Sequence, residues 1–249
     1  MDINEKHDAF KKGYKTISQI LINRLKLVSN IDRIILATTN NKTDDILKKT
    51  AKKLNIICYR GSENNVFKRV VDAGIKYKVK NAIRITADCP IIDPQIVSKI
   101  IKKFIKLKNY DCVSNSYIRS YPDGMDVSVY KFNTLLKSKK FVNSKYHKEH
   151  VTSYMFENPN LFKIKHIKAK KKFYWPELGL TLDEKEDFVL IKTIITYFDK
   201  INKKNFNCED IIKLLKGKKK SWAFINSKVS RKAYDKNNIW LEKLNIFSN

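Results

Sequence analysis

Glycine is scarce in this sequence: the 249 residues contain only six, and none of them lie together in a glycine-rich loop. A doubly wound domain normally cradles phosphates in such a loop after its first strand. The four cysteines form no C-x-x-C pair, so we expect reduced, mostly buried thiols and neither a metal site nor disulfides. No apolar run approaches the ~20 residues that span a bilayer, and residues 1–10 have no apolar signal core. We therefore expect a cytoplasmic protein without a membrane span.

Acidic residues are also few, with 25 Asp and Glu against 52 Lys and Arg, which gives a formal net charge of +27. Such a balance is typical of proteins that bind nucleic acid or an anionic surface. The lysines are nevertheless spread along the whole chain, with the densest clusters at 163–172 and 216–220. No helix-turn-helix, zinc-finger or RNA-binding aromatic motif accompanies them. This distribution resembles a genome-wide lysine bias, and we expect no specific nucleic-acid partner.

The composition is globular, with 43% hydrophobic residues, and helical and strand patterns alternate along the first half. We predict helices at 16–29, 44–54, 66–77 and 96–105, and strands at 34–37, 56–59, 82–86 and 110–115. This alternation with short connections predicts an α/β fold with a mainly parallel sheet flanked by helices. The chain opens on a helix, whereas a doubly wound domain normally opens on a strand.

The second half continues as a mixture of short elements without a low-complexity linker. We predict strands at 125–130, 162–167 and 178–182, and helices at 132–138, 146–157, 183–198, 208–215 and 240–246. The length allows one large domain with a C-terminal addition. We therefore place a main domain at 1–200 and a helical appendage at 201–249.

The chain is organised around the stretch N-A-I-R-I-T-A-D-C-P-I-I-D-P at 81–94. Its apolar start predicts a buried strand, and Asp93 and Pro94 are suited to the N-cap and first position of a following helix. Asp88 therefore follows the carboxyl end of a strand, where open α/β sheets bind ligands. A carboxylate there suits Mg²⁺, which proteins usually hold by one or two carboxylates together with substrate phosphates. The alternative is that Asp88 only caps a turn.

Several further motifs occur in a fixed order along the chain. They are I-I-L-A-T-T at 34–39, Y-R-G-S-E-N-N-V at 59–66, R-I-T-A-D-C-P-I-I-D-P at 84–94, Y-P-D-G-M-D-V at 121–127, E-H-V-T at 149–152 and L-D-E-K-E-D-F at 182–188. Together they resemble the cytidylyltransferase family that includes the spore coat polysaccharide biosynthesis proteins. That family is related to the acylneuraminate and octulosonate cytidylyltransferases. The resemblance covers about residues 16–197, and the T-A-D-C-P block combined with Y-P-D-G-x-D-V is its most specific part.

The resemblance implies a nucleotide-sugar transferase fold, CTP and an acidic sugar as partners, Mg²⁺ as cofactor, and a CMP-activated sugar as product. Asp88 and Asp183 match the two metal carboxylates of the family's catalytic site. The loop and helix that face nucleotide and sugar are matched by Arg60, Ser62 and Arg69, and the sugar pocket by Asp123, Asp126, Glu149 and His150. On the sequence alone, a helix N-cap is the favoured interpretation of Asp183, and a plain, partly buried histidine is the favoured interpretation of His150. A homodimer is a further expectation.

One part of the family pattern has no counterpart here. The family opens with a strand and a loop similar to A-I-I-Q-A-R-M-G-S-x-R-L-P-x-K, which holds the CTP phosphates, whereas residues 1–12 contain no match. Ala9 and Phe10 align just after that loop, so that His7 and Asp8 occupy the positions of its proline and lysine. Phosphate charge must be met by backbone N–H groups or basic side chains, so the expected site lacks its main cradle.

Three interpretations follow from that departure. The first is a degenerate or truncated cytidylyltransferase, a nucleotidyltransferase by resemblance whose catalytic competence stays open. The second is a protein that is active with another phosphate cradle, including a sugar-transferring relative. The third is a non-enzymatic basic module that binds nucleic acid or another anion.

Overall fold

The computed structural model describes residues 16–229, and all structural statements concern this part of the chain. The helices are α1 Ile17–Leu25, α2 Asp45–Lys53, α3 Val66–Lys76, α4 Pro94–Lys106, α5 Phe132–Ser138, α6 Lys145–Glu149, α7 Ser153–Glu157, α8 Lys185–Lys200 and α9 Cys208–Lys216. The strands are β1 Ile35–Thr39, β2 Ile57–Gly61, β3 Asn81–Arg84, β4 Cys112–Ser114, β5 Ser128–Lys131 and β6 Ile164–His166. The α/β fold class is thus confirmed.

The helix starts follow from side-chain caps that the sequence supplies. Thr16 forms a capping box with Gln19 at the start of α1, and Asn65 accepts a hydrogen bond from the backbone N–H of Lys68 at the start of α3. Asp93 caps α4 by accepting from the Gln95 N–H at 2.7 Å, with Pro94 at the first helical position. Each cap satisfies backbone donors that a helix leaves free. The cap predicted at Asp93 is therefore confirmed.

The strands form two hydrogen-bonded sheets among the described residues. β1 and β2 are parallel, with Ile35 opposite Ile57. The second sheet has the order β3-β5-β4-β6, in which β5 runs antiparallel to both β3 and β4 while β4 and β6 are parallel. The prediction that the first four strands pair in one mainly parallel sheet is therefore wrong. Strand partners are chosen over long sequence distances, and β5 inserts between β3 and β4, which a count of alternating elements does not reveal.

Two hydrophobic clusters cover the four-stranded sheet. The larger joins α1, α4, α8 and α9 to Val113 and Val129 of the central strands. The smaller packs Phe67 and Val71 of α3 against Cys112 and Tyr130. Residues of α9 such as Ile211 and Leu215 belong to the larger cluster, so the described C-terminal part shares the main core. The division at residue 200 stays a prediction, and the helix predicted at 240–246 lies outside the described residues.

Two predicted elements differ from the structure. The helix predicted at 146–157 is broken into α6 and α7, because His150 leaves the helical conformation and the β-branched pair Val151 and Thr152 follows it. The strand predicted at 178–182 makes only one isolated bridge, between Gly179 and Asp123. Within residues 16–229, no helix is long and apolar enough to cross a membrane.

Candidate functional site

Asp88 lies in the segment between β3 and α4, and this segment is fixed to the core. Cys89, Ile91 and Ile92 are buried. Arg24 donates from Nε to the carbonyl of Ile92 at 2.6 Å, and the backbone N–H of Cys208 donates to Asp93 at 2.9 Å. These anchors hold Asp88 in a defined place at the end of the strand, as a ligand-binding carboxylate requires.

The turn at 121–126 carries two further carboxylates and is held from the end of β4. Asn115 donates from Nδ2 to the carbonyl of Met125 at 2.8 Å and accepts from the N–H of Val127 at 2.7 Å. Gly124 has φ +93°, and an added Cβ would lie 2.6 Å from the carbonyl oxygen of Leu180. The glycine is therefore required both by its backbone angle and by this close approach. Asp123 and Asp126 are presented on either side of it.

Asp183 approaches Asp88 through the backbone that precedes α8. The N–H of Leu182 donates to the carbonyl oxygen of Asp88 at 2.8 Å, which joins the two loops next to both carboxylates. The Asp183 side chain accepts a hydrogen bond from the hydroxyl of Thr181 at 2.7 Å. The N-cap of α8 is Glu184, in a capping box with Asp187, so Asp183 does not cap the helix. Its carboxylate is thus not engaged in starting α8.

Negative charge is concentrated at this end of the sheet. Arg119 pairs with Asp123 at 2.8 Å and reaches Asp126 at 3.4 Å, and their side chains are 12%, 10% and 27% exposed. Burial raises the pKa of Asp126; the Arg119 charge opposes this effect and the Asp123 charge adds to it. Desolvation likewise raises the pKa of Asp183, against the hydrogen bond from Thr181 and reinforced by the charge of Asp88. Bringing a cation to these carboxylates would lower both pKa values.

The carboxylates meet the first requirement of a magnesium site, an accessible cluster of oxygen donors. Asp183 is exposed and Asp88 is half-buried. Among the described residues, no group of three or more His, Cys, Asp and Glu side chains is arranged to hold a metal by itself. Mg²⁺ commonly takes one or two carboxylates and completes its shell with water and substrate phosphates. The donor set therefore fits a cation that is held jointly with a phosphorylated substrate.

Arg60, Ser62 and Arg69 lie on and beside β2 and are engaged within the protein. Arg60 donates to the carbonyls of Thr39 at 2.8 Å and Asn41 at 2.6 Å, and it pairs with the carboxylate of Asp45. Arg69 donates to the carbonyl of Ser62 at 2.6 Å, and burial lowers its pKa. These arginines shape the loops after β1 and β2, and their assignment to nucleotide binding stays a prediction.

Glu149 and His150 lie at the end of α6, and both are exposed. α6 packs against α3 and α7, and the imidazole of His150 lies 4.5 Å from the ring of Tyr146. The histidine is therefore not the partly buried residue that the sequence also allowed. The described contacts bring Asp88, Asp123, Asp126 and Asp183 together, while Glu149 and His150 belong to a separate helical segment.

Three residues that hold the site together were not predicted from the sequence. Arg119 is the cation between Asp123 and Asp126, Asn115 locks the turn, and Thr181 orients Asp183. Arg119 precedes Asp123 by four residues, and this spacing of opposite charges was a detectable signal. Asn115 and Thr181 act through long-range contacts, for which the sequence offers no local sign.

Comparison with known proteins fits this geometry. A family model described as Cytidylyltransferase matches residues 13–230, most of the chain. The chain belongs to the cytidylyltransferase family. Spore coat polysaccharide biosynthesis protein SpsF of Bacillus subtilis is 30% identical to this cytidylyltransferase over 189 residues, which cover 73% of this chain and 76% of SpsF. An uncharacterised protein of Methanocaldococcus jannaschii is 34% identical over 224 residues, covering 90% of this chain and 89% of that protein.

Two solved structures resemble this chain. A cytidylyltransferase from Leptospira borgpetersenii superposes with a TM-score of 0.81 at 27% identity, over 90% of this chain and 92% of that one. A CMP-2-keto-3-deoxy-manno-octonic acid synthetase complexed with CTP superposes with a TM-score of 0.52 at 10% identity, covering 78% of this chain and 92% of that one. The second likeness shows the fold alone, and the first confirms the nucleotide-sugar transferase-like architecture expected from the motifs.

Proposed function

We propose that this cytidylyltransferase acts in surface-polysaccharide or glycan biosynthesis by transferring CMP from CTP to an acidic sugar. We further propose that the chain as given does so slowly, since residues 1–12 contain no match to the family's phosphate loop. The observation that carries the proposal is the hydrogen bond from Leu182 N–H to Asp88 at 2.8 Å, which brings the loops of Asp88 and Asp183 together beyond the end of β3. The name of the SpsF relative supports a role in polysaccharide biosynthesis.

In this reaction a hydroxyl oxygen of the sugar forms a bond to the α-phosphorus of CTP. The bond from that phosphorus to the bridging oxygen breaks, and pyrophosphate leaves with the bonding electron pair. Asp88 and Asp183 would hold Mg²⁺, which supplies neutralisation of phosphate charge when bound. The buried segment after β3 keeps Asp88 in place, and Thr181 keeps Asp183 in place. Positioning of this kind supplies most of the catalysis in phosphoryl-type transfers.

Asp123 and Asp126 would form the polar wall that faces the sugar. Their pairing with Arg119 balances the charge, so hydroxyl groups of a sugar meet oriented carboxylate acceptors next to the metal carboxylates. The Gly124 turn fixes both acceptors against the segment that leads to Asp183. The proton of the attacking sugar hydroxyl passes to water or to the departing pyrophosphate, and we assign no protein base to it.

Binding of CTP in the presence of Mg²⁺ tests the proposal without requiring rapid turnover. We expect calorimetry to show that CTP binds more tightly than ATP, GTP or UTP, and that Asp88→Asn combined with Asp183→Asn removes the Mg²⁺-dependent part. Asp72→Asn is the matched control, since Asp72 pairs with Lys68 on the surface of α3. Mg²⁺-dependent CTP binding that survives the double substitution would exclude the metal assignment.

Turnover identifies the reaction class. A pyrophosphate-release assay with CTP and a panel of acidic sugars should give slow release that depends on the sugar added. Transfer of sugar from a nucleotide-sugar donor, with no pyrophosphate release from CTP, would instead identify a sugar-transferring relative. Tight binding of oligonucleotides without either activity would support the basic binding module.

A further inference from the structure

A pocket with a volume of about 690 Å³ lies between the end of α1, one side of α4 and the 205–207 loop ahead of α9. Its lining includes Asp93 at the start of α4, but none of the four carboxylates of the candidate site. Ser29 donates from its backbone N–H to Ser98 of α4 at 3.2 Å, which joins two walls of the pocket. Small-molecule sites typically have volumes of roughly 300–1,000 Å³. The pocket is therefore a second concave site of ligand size, separate from the candidate site.

Positive charge dominates the lining of this pocket. Four lysines of α4 line it, at positions 99, 102, 103 and 106, and this spacing places them on one side of the helix. Arg24 of α1 adds a further cation. Among the described residues, none of these lysines pairs with a carboxylate. Asp93 is the acidic residue of the lining, but it is 1% exposed and both its oxygens accept from backbone N–H groups. The lining thus favours an anionic ligand.

Two of these cations are held in place by the fold, unlike the lysines scattered over the surface. Arg24 is 6% exposed and donates from Nε to the carbonyl of Ile92 and from Nη2 to the carbonyl of Phe206 at 2.7 Å. Its Nη1 makes no hydrogen bond within residues 16–229 and is not fully buried. Lys99 donates to the hydroxyl of Tyr121 at 3.2 Å. Burial lowers the pKa of Arg24 to about 10, against the charge of Asp93, and also lowers the pKa of Lys99. An anion bound beside them would stabilise both charged forms.

The lining also indicates which kind of anion fits. Phe206 is 5% exposed, because its ring contacts the guanidinium of Arg24 at 4.6 Å and stacks on Phe198 at 4.4 Å. It therefore offers no surface on which a nucleobase stacks, as single-stranded nucleic acid requires. Phosphate groups present several acceptor oxygens, which suit an arginine combined with lysines. The lysines span seven residues of α4, roughly 10 Å, so that linked phosphates can contact several of them together.

We propose that this pocket is a second anion site, which binds a small molecule carrying two or more linked phosphate groups. Nη1 of Arg24 and the ammonium of Lys99 bind phosphate oxygens, and the other three lysines of α4 supply the surrounding positive charge. The methylene stems of these lysines and the side chain of Leu27, which is 55% exposed, cover the rest of the ligand. The site goes beyond the proposed function and does not depend on it, since it uses no residue assigned to CTP, Mg²⁺ or sugar.

Calorimetry with pyrophosphate and tripolyphosphate tests the site. EDTA replaces Mg²⁺ in the buffer, so that Mg²⁺-dependent binding at the candidate site does not contribute. We expect saturable binding of one probe molecule per chain, weakened by about tenfold or more in Lys99→Met combined with Lys103→Met, because charge-assisted hydrogen bonds are lost. The matched control is Lys48→Met combined with Lys52→Met on α2, which has the same spacing and charge change at exposed positions. Its affinity should stay within about twofold, since distant exposed charges are screened.

Several results would overturn the site. They are the absence of saturable binding up to millimolar probe, unchanged binding in the Lys99 and Lys103 variant, and equal weakening in the α2 control, which would show an effect of net charge alone. Lys102→Met combined with Lys106→Met changes only exposed side chains and should also weaken binding; unchanged affinity there would likewise contradict the site.

The source of the phosphates is distinguished by comparing ligands under the same conditions. Similar affinities for CTP and tripolyphosphate would support recognition of the phosphate chain itself. Binding of oligonucleotides without binding of tripolyphosphate would identify a nucleic-acid surface and overturn the site. Probe binding at the pocket together with no Mg²⁺-dependent CTP binding would support the site and contradict only the proposed function.

Discussion

At the scale of single residues, Arg119 is the cation that pairs with Asp123 and Asp126 in the candidate site. Its guanidinium lies 2.8 Å from Asp123 and 3.4 Å from Asp126, and none of the three side chains is more than 27% exposed. Removing one member of such a buried group leaves the partners' charge without compensation, which typically costs ~3–5 kcal/mol. The sequence indicated Asp123 and Asp126 through a family motif, but their shared cation had to be found in the structure.

Replacing Arg119 should lower the free energy of unfolding by an amount that depends on pH. In Arg119→Met the folded-state pKa of Asp126, already raised by burial, rises further. When the pKa of a carboxyl group is raised in the folded state, the protein keeps its stability at low pH. It loses free energy of unfolding as the pH rises through that pKa. We therefore expect a loss of about 3 kcal/mol at pH 8 and a clearly smaller loss at pH 5, measured by urea unfolding. Lys108→Met, at an exposed lysine, should change little; an equal loss at both pH values for Arg119→Met would contradict this account.

Cation binding at Asp88 and Asp183 should release protons. The pKa of Asp183 is raised by desolvation and by the charge of Asp88, so Mg²⁺ must displace the proton that Asp183 retains as the pH falls. We expect Mg²⁺ affinity, measured by calorimetry, to fall by roughly threefold to tenfold from pH 7 to pH 5, up to one decade per pH unit for each linked proton. Buffers of different ionisation enthalpy should report the released protons. Affinity that does not vary with pH would contradict the linkage between Mg²⁺ binding and the protonation of Asp183.

At the scale of elements, helix ends were predictable because their signals are local. Asp93 with Pro94 starts α4 as expected, and 132–138 was predicted with the bounds of α5. The segment at 178–182 was misread as a strand, because an apolar run predicts burial but not pairing. Leu178, Leu180 and Leu182 are buried, yet the backbone of this segment is joined to Asp123 by two hydrogen bonds and to Asp88 by one. The partner of such a segment is set by tertiary contacts.

Substitution of Gly124 tests how the 121–126 turn holds Asp123 and Asp126 in the site. Gly124→Ala places a side chain at φ +93° and 2.6 Å from the carbonyl oxygen of Leu180, so the backbone must shift. We expect a loss of about 3 kcal/mol in unfolding free energy and weaker CTP binding, because Asp123 and Asp126 move with the turn. In Gly61→Ala the added Cβ would meet only side-chain atoms of Tyr59 and Arg69, so a smaller loss is expected. Equal losses in the two variants would show that the turn is not strained in this way.

At the scale of the whole molecule, the sequence identified the fold class and the family but not how the sheet is assembled. Asp88 and Asp183 could be placed at one edge only through family motifs, since no local pattern links positions so far apart. The insertion of β5 between β3 and β4 depends on pairing over long sequence distances.

The most direct test of the whole account compares pyrophosphate release from CTP by this chain and by the chain extended with a strand and phosphate loop at Ala9. Both proteins receive Mg²⁺ and the same panel of acidic sugars. Removing one preorganised donor of this kind typically costs ~10²–10³ in rate, so we predict that the unextended chain is at least about 10²-fold slower. The extended chain should lose its activity on Asp88→Asn. Comparable, robust turnover by both proteins would contradict the account and require a phosphate cradle built from this chain's own residues.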